Sequence, residues 1–242
     1  DALPIWLRTW LNVIVLSFAF VFIIWTQGIY NGMNAQVVTT MIDTEYGGGQ
    51  YWNENYDPYD PLSLQDAHAK LPVDLQKLIN KKQATPILIT QATAYPNGRM
   101  KTILLKGIEP EQEIINLPSH FLGNEDEELP ALIGTRMAES SNLSIGDYLT
   151  IRWRDKNGMF DAVDVRIVQI MKTTVQSVDA GQIWLPLEKL RQMTKMENEA
   201  TLVTVGKDVI EPESVVGWDF KTHGYLLKDI QEMVKSDRKS TR

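Results

Sequence analysis

Residues 9–42 read TWLNVIVLSFAFVFIIWTQGIYNGMNAQVVTTMI and lie between Arg8 and Asp43 without a single charged side chain. The first half of this stretch is dense in leucine, valine, isoleucine and phenylalanine. A helix of this length runs about 50 Å at about 1.5 Å of rise per residue, whereas the hydrocarbon core of a bilayer is about 30 Å thick. The stretch therefore predicts a transmembrane helix that also projects beyond the membrane.

Two other interpretations of this stretch are a cleaved secretory signal and a buried helix of a soluble protein. A signal has an apolar region of about 7 to 15 residues that ends at a small-residue cleavage site. Here residues 25–30 follow the apolar run without such a site. Aromatic residues of the kind found at membrane interfaces mark both ends, namely Trp6 and Trp10 before the run and Trp25 and Tyr30 after it. The pattern favours the membrane-spanning interpretation.

The composition limits what the rest of the chain does. Once the membrane helix is set aside, about 200 residues remain, enough for one large domain or two small ones. A formal net charge of −7 argues against nucleic-acid binding, which would favour a basic surface. The absence of cysteine excludes disulfides, thiolate chemistry and cysteine-ligated zinc.

Local patterns after Asp43 predict a domain of mixed helices and strands. Asn-Gly pairs at 97–98 and 157–158 supply the positive φ angles of two hairpin turns. Apolar residues at helical spacing predict helices, and β-prone runs predict strands. The predicted helices are 72–82, 133–142, 186–195 and 225–238, and the predicted strands are 86–94, 100–106, 148–154, 160–171, 182–185 and 200–205. Strand 182–185, helix 186–195 and strand 200–205 form a β-α-β unit.

The sequence shows no catalytic or metal-binding constellation. The histidines His68, His120 and His223 are far apart and lack ligand spacing, which favours structural or surface roles. There is no nucleophile elbow, no phosphate-binding P-loop and no EF-hand loop. Asp57 and Asp60 lie in a turn-rich Asp-Pro-Tyr-Asp-Pro segment, which disfavours an acid/base pair there. We therefore expect a protein that is not an enzyme and that has no metal or cofactor of its own.

The most informative part of the domain is residues 133–151, which read IGTRMAESSNLSIGDYLTI. They predict a short helix ending near Asn142 and a turn at Gly146 and Asp147 that leads into a strand. This order of glycine, short helix, Gly-Asp turn and strand resembles a segment of the MacB-like periplasmic core domain. That family comprises permease subunits of ABC systems, including lipoprotein-releasing permeases, macrolide exporters and relatives of the cell-division permease.

Other positions agree with the resemblance in their order along nearly the whole chain. Gly28, Gly32 and Met33, followed by a strand over 46–52, are similar to the family's passage from the first membrane helix into the periplasmic domain. Residues 160–174 and then 183–186 are similar to its strand, loop, strand and Leu-Pro helix start. The residues that carry the family motif in a structural role are Gly28, Gly32, Gly134, Gly146, Asp147 and Pro186.

The resemblance implies an α+β architecture. An N-terminal transmembrane helix with a stalk would be followed by a two-lobed mixed α/β extracytoplasmic domain containing antiparallel hairpins and split β-α-β units. The implied boundaries are the transmembrane helix and stalk at 1–42, a discontinuous first lobe at 43–107 plus 182–234, an inserted second lobe at 108–181, and the approach to the next transmembrane helix at 235–242.

The resemblance also implies a function. The chain would belong to a non-catalytic permease subunit of an ABC transporter of the MacB or lipoprotein-releasing type. ABC ATPase subunits on separate chains would bind the ATP, and a second permease subunit would complete a homo- or heterodimer. Hydrolysis by the partner would be coupled, by mechanotransmission, to movement of the extracytoplasmic domain and to export or extraction of a hydrophobic or lipidated substrate.

Location and substrate path follow from the same family. The chain would lie in the bacterial inner (cytoplasmic) membrane, with residues 43–234 in the periplasm. In lipoprotein-releasing relatives the first helix helps to line an apolar cavity for acyl chains, and here the corresponding substrate-path residues would be Trp25, Ile29, Tyr30 and Met33. An equal alternative is that these side chains simply face membrane lipid or a neighbouring helix.

The alternative function is a membrane-anchored extracytoplasmic sensor or binding module, which also needs only a span, a mixed domain and an outgoing helix. An enzyme with a site assembled from scattered residues is a distant third. The sequence leaves open the transported substrate, the direction of transport, the choice between homo- and heterodimer, and whether a soluble lipoprotein carrier docks.

Overall fold

The computed structural model describes residues 4–123, 129–172, 180–209 and 214–228. The chain divides into two compact units, one up to Thr39 and one from Thr40 onward. The first unit is most of helix α1, Ile5–Met41, which is one continuous α-helix. This helix is long and apolar enough to cross a membrane, and its apolar part is not buried inside the protein. These properties agree with the span expected from the sequence.

The second unit is a domain of mixed helices and strands. Its helices are α2 (Val73–Asn80), α3 (Thr135–Ser141), α4 (Leu187–Thr194) and α5 (223–228). Its strands are β1 (Gly49–Asn53), β2 (Ala69–Lys70), β3 (Ala84–Ala94), β4 (Lys101–Ile108), β5 (Pro130–Gly134), β6 (Tyr148–Arg154), β7 (Phe160–Met171), β8 (Gln182–Pro186), β9 (Glu199–Ala200), β10 (Leu202–Val205) and β11 (Trp218–Thr222). The predicted class, an apolar N-terminal helix followed by a mixed α/β domain with a large sheet, is confirmed.

Six strands of the domain close into a barrel. Neighbouring strands pair in the order β3-β4-β8-β5-β7-β6, and β6 pairs again with β3 to complete the ring. The β4–β8 and β5–β7 pairs are parallel, and the other pairs are antiparallel. Both predicted hairpins, β3–β4 and β6–β7, are part of this ring. Closure matters because it gives each of these six strands a hydrogen-bonded neighbour on both sides.

The barrel interior is filled by alternate side chains of its strands. Strand β6 alternates exposed and buried residues along its whole length, as expected for a strand with one face on a core. Fully buried interior residues include Leu105, Ile133, Ile151 and Ile183. The intervening residues of β3, β4, β5 and β8 face outward onto a second apolar cluster. This outer wall is where the start of the domain packs.

An open extension continues from the first part of β3. Residues 84–87 pair with β10, which pairs with β1, which pairs with β11, all antiparallel. Strands β8 and β10 run in the same direction with α4 between them and with β4 and β3 between them in the sheet. The predicted β-α-β unit is therefore confirmed, with its two strands separated in the sheet.

The structure corrects four element boundaries. Ile133 and Gly134 belong to strand β5 rather than to the predicted helix 133–142, because both pair with β7. The first strand starts at Gly49 rather than at Tyr46, since residues 42–46 form one π-helical turn. The predicted strand 200–205 is broken at Thr201 into β9 and β10. Helix α5 starts at residue 223, and the rest of the predicted helix 225–238 lies outside the described residues.

The predicted division into two lobes is not tested and stays a prediction. Strands β5 and β6, from the predicted second lobe, are paired with β8 and β3 of the first, respectively. The barrel core accordingly draws residues from both predicted lobes.

Candidate functional site: the junction between helix α1 and the barrel wall

The predicted substrate-path residues lie on the exposed surface of α1. Trp25, Ile29 and Met33 are spaced by four residues, so they share one face of the helix. Trp25 and Met33 are each 62% exposed, and Ile29 and Tyr30 are each 46% exposed. Their assignment to a substrate path stays a prediction. A Cβ added to the nearby Gly28 or Gly32 would have no neighbouring atom within 4 Å, so the helix backbone is open at these positions.

The other family-motif residues occupy turning points of the domain. Gly134 ends β5 and precedes α3. Gly146 has φ +94°, and its N–H donates to the Ile167 carbonyl at 2.7 Å. The Asp147 carboxylate accepts from the Ser144 N–H at 2.7 Å, which closes the Gly-Asp turn. Pro186 ends β8 and immediately precedes α4. All four positions set the path of the backbone.

The best-defined functional feature is the junction, by which we mean residues 40–50 and the strand residues that they contact. Met41, the last residue of α1, is buried in the apolar cluster on the outer wall of the barrel. The chain then makes the π-helical turn, closed by a hydrogen bond from the Gly47 N–H to the Ile42 carbonyl at 2.7 Å. The helix is thus joined to the sheet by a structured turn.

Two glycines allow the turn to lie directly against the end of β10. The Gly48 N–H donates to the Val205 carbonyl at 2.8 Å. A Cβ on Gly48 would lie 2.3 Å from the Gly206 carbonyl oxygen, and a Cβ on Gly47 would lie 2.5 Å from the Val205 oxygen. Gly47 also has φ +55°, a left-handed conformation that favours glycine. Main chain therefore packs on main chain at this point.

A buried ion pair fixes the same turn to the barrel. The Glu45 carboxylate lies 2.9 Å from the Lys106 Nζ, and these side chains are 18% and 7% exposed. The Lys106 ammonium also lies 5.0 Å from the ring centre of Trp184 on β8, within the range of a cation–π contact. Because Lys106 is on β4, the pair ties the turn to two strands of the barrel wall.

Further polar contacts surround the ion pair. The Gln50 side-chain amide donates to the Glu45 carbonyl at 2.8 Å, and its oxygen accepts from the Trp52 indole N–H at 2.8 Å. Asp43 pairs with Lys207 at 2.5 Å, and its carbonyl accepts from the Asn116 N–H at 2.6 Å. The turn is therefore held from three sides.

Tyr56 lies next to this network and packs edge-on against Trp52, with ring centres 5.1 Å apart. Burial raises the pKa of the Tyr56 hydroxyl, and the negative charges of Glu45 and Asp57 raise it further. The phenol is therefore neutral at physiological pH.

The outgoing chain leaves the domain beside the same junction. Thr222, the last residue of β11, is paired with Gly49. Helix α5 follows at once, and Leu227 packs on the outer-wall cluster that also holds Met41. Incoming and outgoing segments therefore contact one apolar cluster.

His68, His120, Asp57 and Asp60 contact neighbouring groups of the folded domain. His68 pairs with Glu199 at 2.5 Å, and His120 packs on the Phe121 ring with centres 4.3 Å apart. The Asp57 and Asp60 carboxylates each accept a hydrogen bond from the backbone N–H two residues later, as turn-capping residues do. Among the described residues no group of three His, Asp or Glu side chains could hold a metal ion.

The buried Glu199 makes stability depend on acid pH. Desolvation raises its pKa, but hydrogen bonds from Lys156 and His68 outweigh this and hold the pKa below its ordinary 4.5. A carboxylate with a depressed native pKa stabilises the fold above its ordinary pKa and loses that contribution as pH falls through the native value. We expect Glu199→Gln to flatten the pH dependence of unfolding below about pH 4.5. Denaturant titrations from pH 3 to 7 measure this, with the exposed Glu139→Gln as control, and an unchanged pH profile would contradict it.

The sequence did not predict the ion pair that holds the turn after α1 against β4. Glu45 and Lys106 are far apart in the chain, so no local motif joins them. A weak signal was present, because Lys106 interrupts the apolar run ILLKGI at 103–108. A lysine within such a buried strand needs a carboxylate partner.

The chain is similar in sequence to one family of known proteins. The sequence model of the MacB-like periplasmic core domain family matches residues 9–215. No curated protein sequence shows significant similarity to the chain. Among solved structures, the periplasmic region of MacB from Actinobacillus actinomycetemcomitans is 12% identical with a TM-score of 0.48, covering 81% of this chain and 98% of that one. The extracellular domain of the noncanonic ABC-type transporter YknZ from Gram-positive bacteria is 16% identical with a TM-score of 0.39, covering 69% of this chain and 83% of that one.

The family match spans most of the chain, including the apolar stretch at residues 9–42 and the passage from that helix into the domain. It covers residues 133–151, on which the resemblance was based. The chain therefore belongs to the family of the MacB-like periplasmic core domain, and the family recognised from its sequence is confirmed.

Proposed function

We propose that the chain is the first membrane helix and external domain of a non-catalytic permease subunit. The transporter would be of the MacB or lipoprotein-releasing type, and would export or extract a hydrophobic or lipidated substrate. The family match over residues 9–215 supports this proposal, together with the apolar helix at the start of the chain. ATP would be bound and hydrolysed by partner ATPase subunits, and a second permease subunit would complete the membrane assembly.

The observation that carries the proposal is the junction. A sensor or adhesion module needs only a tether between its anchor and its domain. Here the turn that follows α1 is instead held against the end of β10 by main-chain contacts and against β4 of the barrel by a buried ion pair. Such a connection passes a tilt or rotation of residues 40–46 directly to the barrel, as rigid-body coupling requires.

We assign the surface of α1 to contacts in the membrane. Trp25, Ile29 and Met33 offer a continuous apolar face, beside the open backbone at Gly28 and Gly32. Small residues four apart allow another helix to approach closely in a membrane. In the permease this face would contact acyl chains of the substrate, membrane lipid or the second permease subunit.

The direct test is reconstitution with the candidate ATPase. The full-length permease and its candidate ATPase are co-expressed, purified in detergent through a tag on the permease, and assayed for ATP hydrolysis and for co-purifying lipid or lipopeptide by mass spectrometry. We expect a stable complex with two permease and two ATPase subunits, whose hydrolysis exceeds that of the free ATPase. A permease that never forms an ATPase complex would favour the anchored sensor or binding module.

Membrane orientation provides a separate prediction. The chain has no cysteine, so a single introduced cysteine is a unique label. Val216 is 96% exposed in the domain and Trp6 is 65% exposed near the other end of the span. For a domain outside the bacterial inner membrane, Val216→Cys reacts with an impermeant maleimide in intact spheroplasts, whereas Trp6→Cys reacts only after the membrane is opened. Protection of Val216→Cys in intact spheroplasts would contradict the proposed location of residues 43–234.

A further inference from the structure

The domain has a polar cleft where strand β3 changes partners. Residues 84–87 of β3 pair with β10, and residues 92–94 pair with β6. Between these two pairings opens a cavity of about 540 Å³. One of its walls is the β6–β7 hairpin and the other is the turn at residues 61–66. This volume lies within the range of small-molecule sites, about 300–1,000 Å³.

Two arginines on one wall are held in fixed orientations. Arg152 lies over the Phe160 ring, with its Cζ 4.3 Å from the ring centre. Arg154 donates from Nε to the Gly158 carbonyl at 3.1 Å. Both contacts leave the terminal nitrogens of the guanidinium groups available. In the part of the chain that the structure describes, neither arginine has a carboxylate partner.

Two carboxylates of this region are paired with lysines. Asp155 lies 2.5 Å from Lys195, and Glu199 lies 2.6 Å from Lys156. Asp66, on the opposite wall, is exposed and lines the cleft. Among the described residues it forms no ion pair. The cleft therefore keeps a net positive charge on the hairpin side.

Hydroxyl groups lie beside the arginines. Thr93 of β3 is opposite Arg152 of β6 in register, and Thr102 of β4 is opposite Thr93. Directly opposite residues on neighbouring strands have Cβ atoms about 4.5–5.5 Å apart, so Arg152, Thr93 and Thr102 leave the sheet side by side on three neighbouring strands. All three residues line the cavity. Guanidinium groups and hydroxyl groups that line one cavity are donors of the kind that bind phosphate oxygens.

We propose that this cleft binds the phosphate group of a small soluble ligand. The two guanidinium groups match the charge of a phosphate dianion, and the threonine hydroxyls add neutral donors. The site lies on the barrel, is separate from the junction and does not depend on the transport function.

The test is isothermal titration of the full chain, purified in phosphate-free detergent, with inorganic phosphate and pyrophosphate. We expect Arg152→Gln combined with Arg154→Gln to weaken binding at least tenfold. Arg152→Lys should fall between the wild type and this double variant, because it keeps the charge but loses the planar fork. Asp66→Asn should tighten binding several-fold, since it removes the opposing negative charge. Arg99→Gln, an exposed arginine outside the cleft, is the matched control and should bind as the wild type does.

Three results would overturn the proposal. The first is an absence of binding to the wild-type chain, and the second is equal binding by the wild type and the double arginine variant. The third is binding only to vesicles containing phosphatidic acid and not to the free ions, which would assign the arginines to a lipid headgroup. Because tighter binding by Asp66→Asn requires a folded protein, it separates loss of the site from loss of the fold.

Discussion

Gly48→Ala is expected to destabilise the domain by about 2–4 kcal/mol. The added Cβ would lie 2.3 Å from the Gly206 carbonyl oxygen and 2.8 Å from its carbonyl carbon. These are backbone atoms, so the clash is relieved only by moving the turn away from the end of β10. That movement would also break the hydrogen bond between the Gly48 N–H and the Val205 carbonyl.

The measurement for Gly48→Ala is thermal unfolding followed by circular dichroism. A loss of this size corresponds to a fall in Tm of roughly 5–15 °C for a domain of about 200 residues. The matched control is Gly181→Ala, where an added Cβ meets nothing within 4 Å. We expect the control to stay within about 0.5 kcal/mol of the wild type. Equal Tm values for the two variants would show that the turn does not pack against β10 as described.

Glu45→Ala is expected to cost about 3 kcal/mol, because it leaves the Lys106 ammonium buried without its counter-charge. The Lys106 side chain is only 7% exposed, so water cannot replace the lost carboxylate without local opening. Adding Lys106→Met should recover much of the loss, since the double variant buries no charge. A double-mutant cycle of denaturant unfolding measures the coupling between the two residues.

The control for this ion pair is an exposed one. Asp74 and Lys77 on α2 are 56% and 64% exposed, and Asp74→Ala should cost under about 1 kcal/mol. In the reconstituted transporter, Glu45→Ala should also lower substrate-stimulated ATP hydrolysis if the junction carries the coupling. If Glu45→Ala kept the stability and the substrate-stimulated ATP hydrolysis of the wild type, the ion pair would have no role in the proposed coupling.

Features encoded by neighbouring residues were predictable from the sequence. The apolar stretch predicted α1, and the Asn-Gly turns at 97–98 and 157–158 predicted the two hairpins with their flanking strands. The Gly-Asp turn at Gly146 was found in the same way, because a short motif determines its local backbone.

Features that depend on distant pairing were not predictable. Barrel closure rests on the register of Ala92 with Trp153, and neither residue carries a local signal for it. Strand β5 is only five residues long and follows an acidic stretch of sequence, so Ile133 and Gly134 were assigned to the next helix. The junction was missed for the same reason, since Glu45 meets Lys106 only after the barrel has formed.

Barrel closure also determines how the domain responds to mechanical load. Strand β3 is hydrogen-bonded on both sides, with β4 along one side and with β10 and then β6 along the other. A pull along the axis of β3 therefore acts on its hydrogen bonds in shear, which loads many of them at once. An open edge would instead be peeled, one hydrogen bond at a time. The barrel should consequently be the stiff part of the domain, and most elastic deformation should occur in the segments that join it to its neighbours.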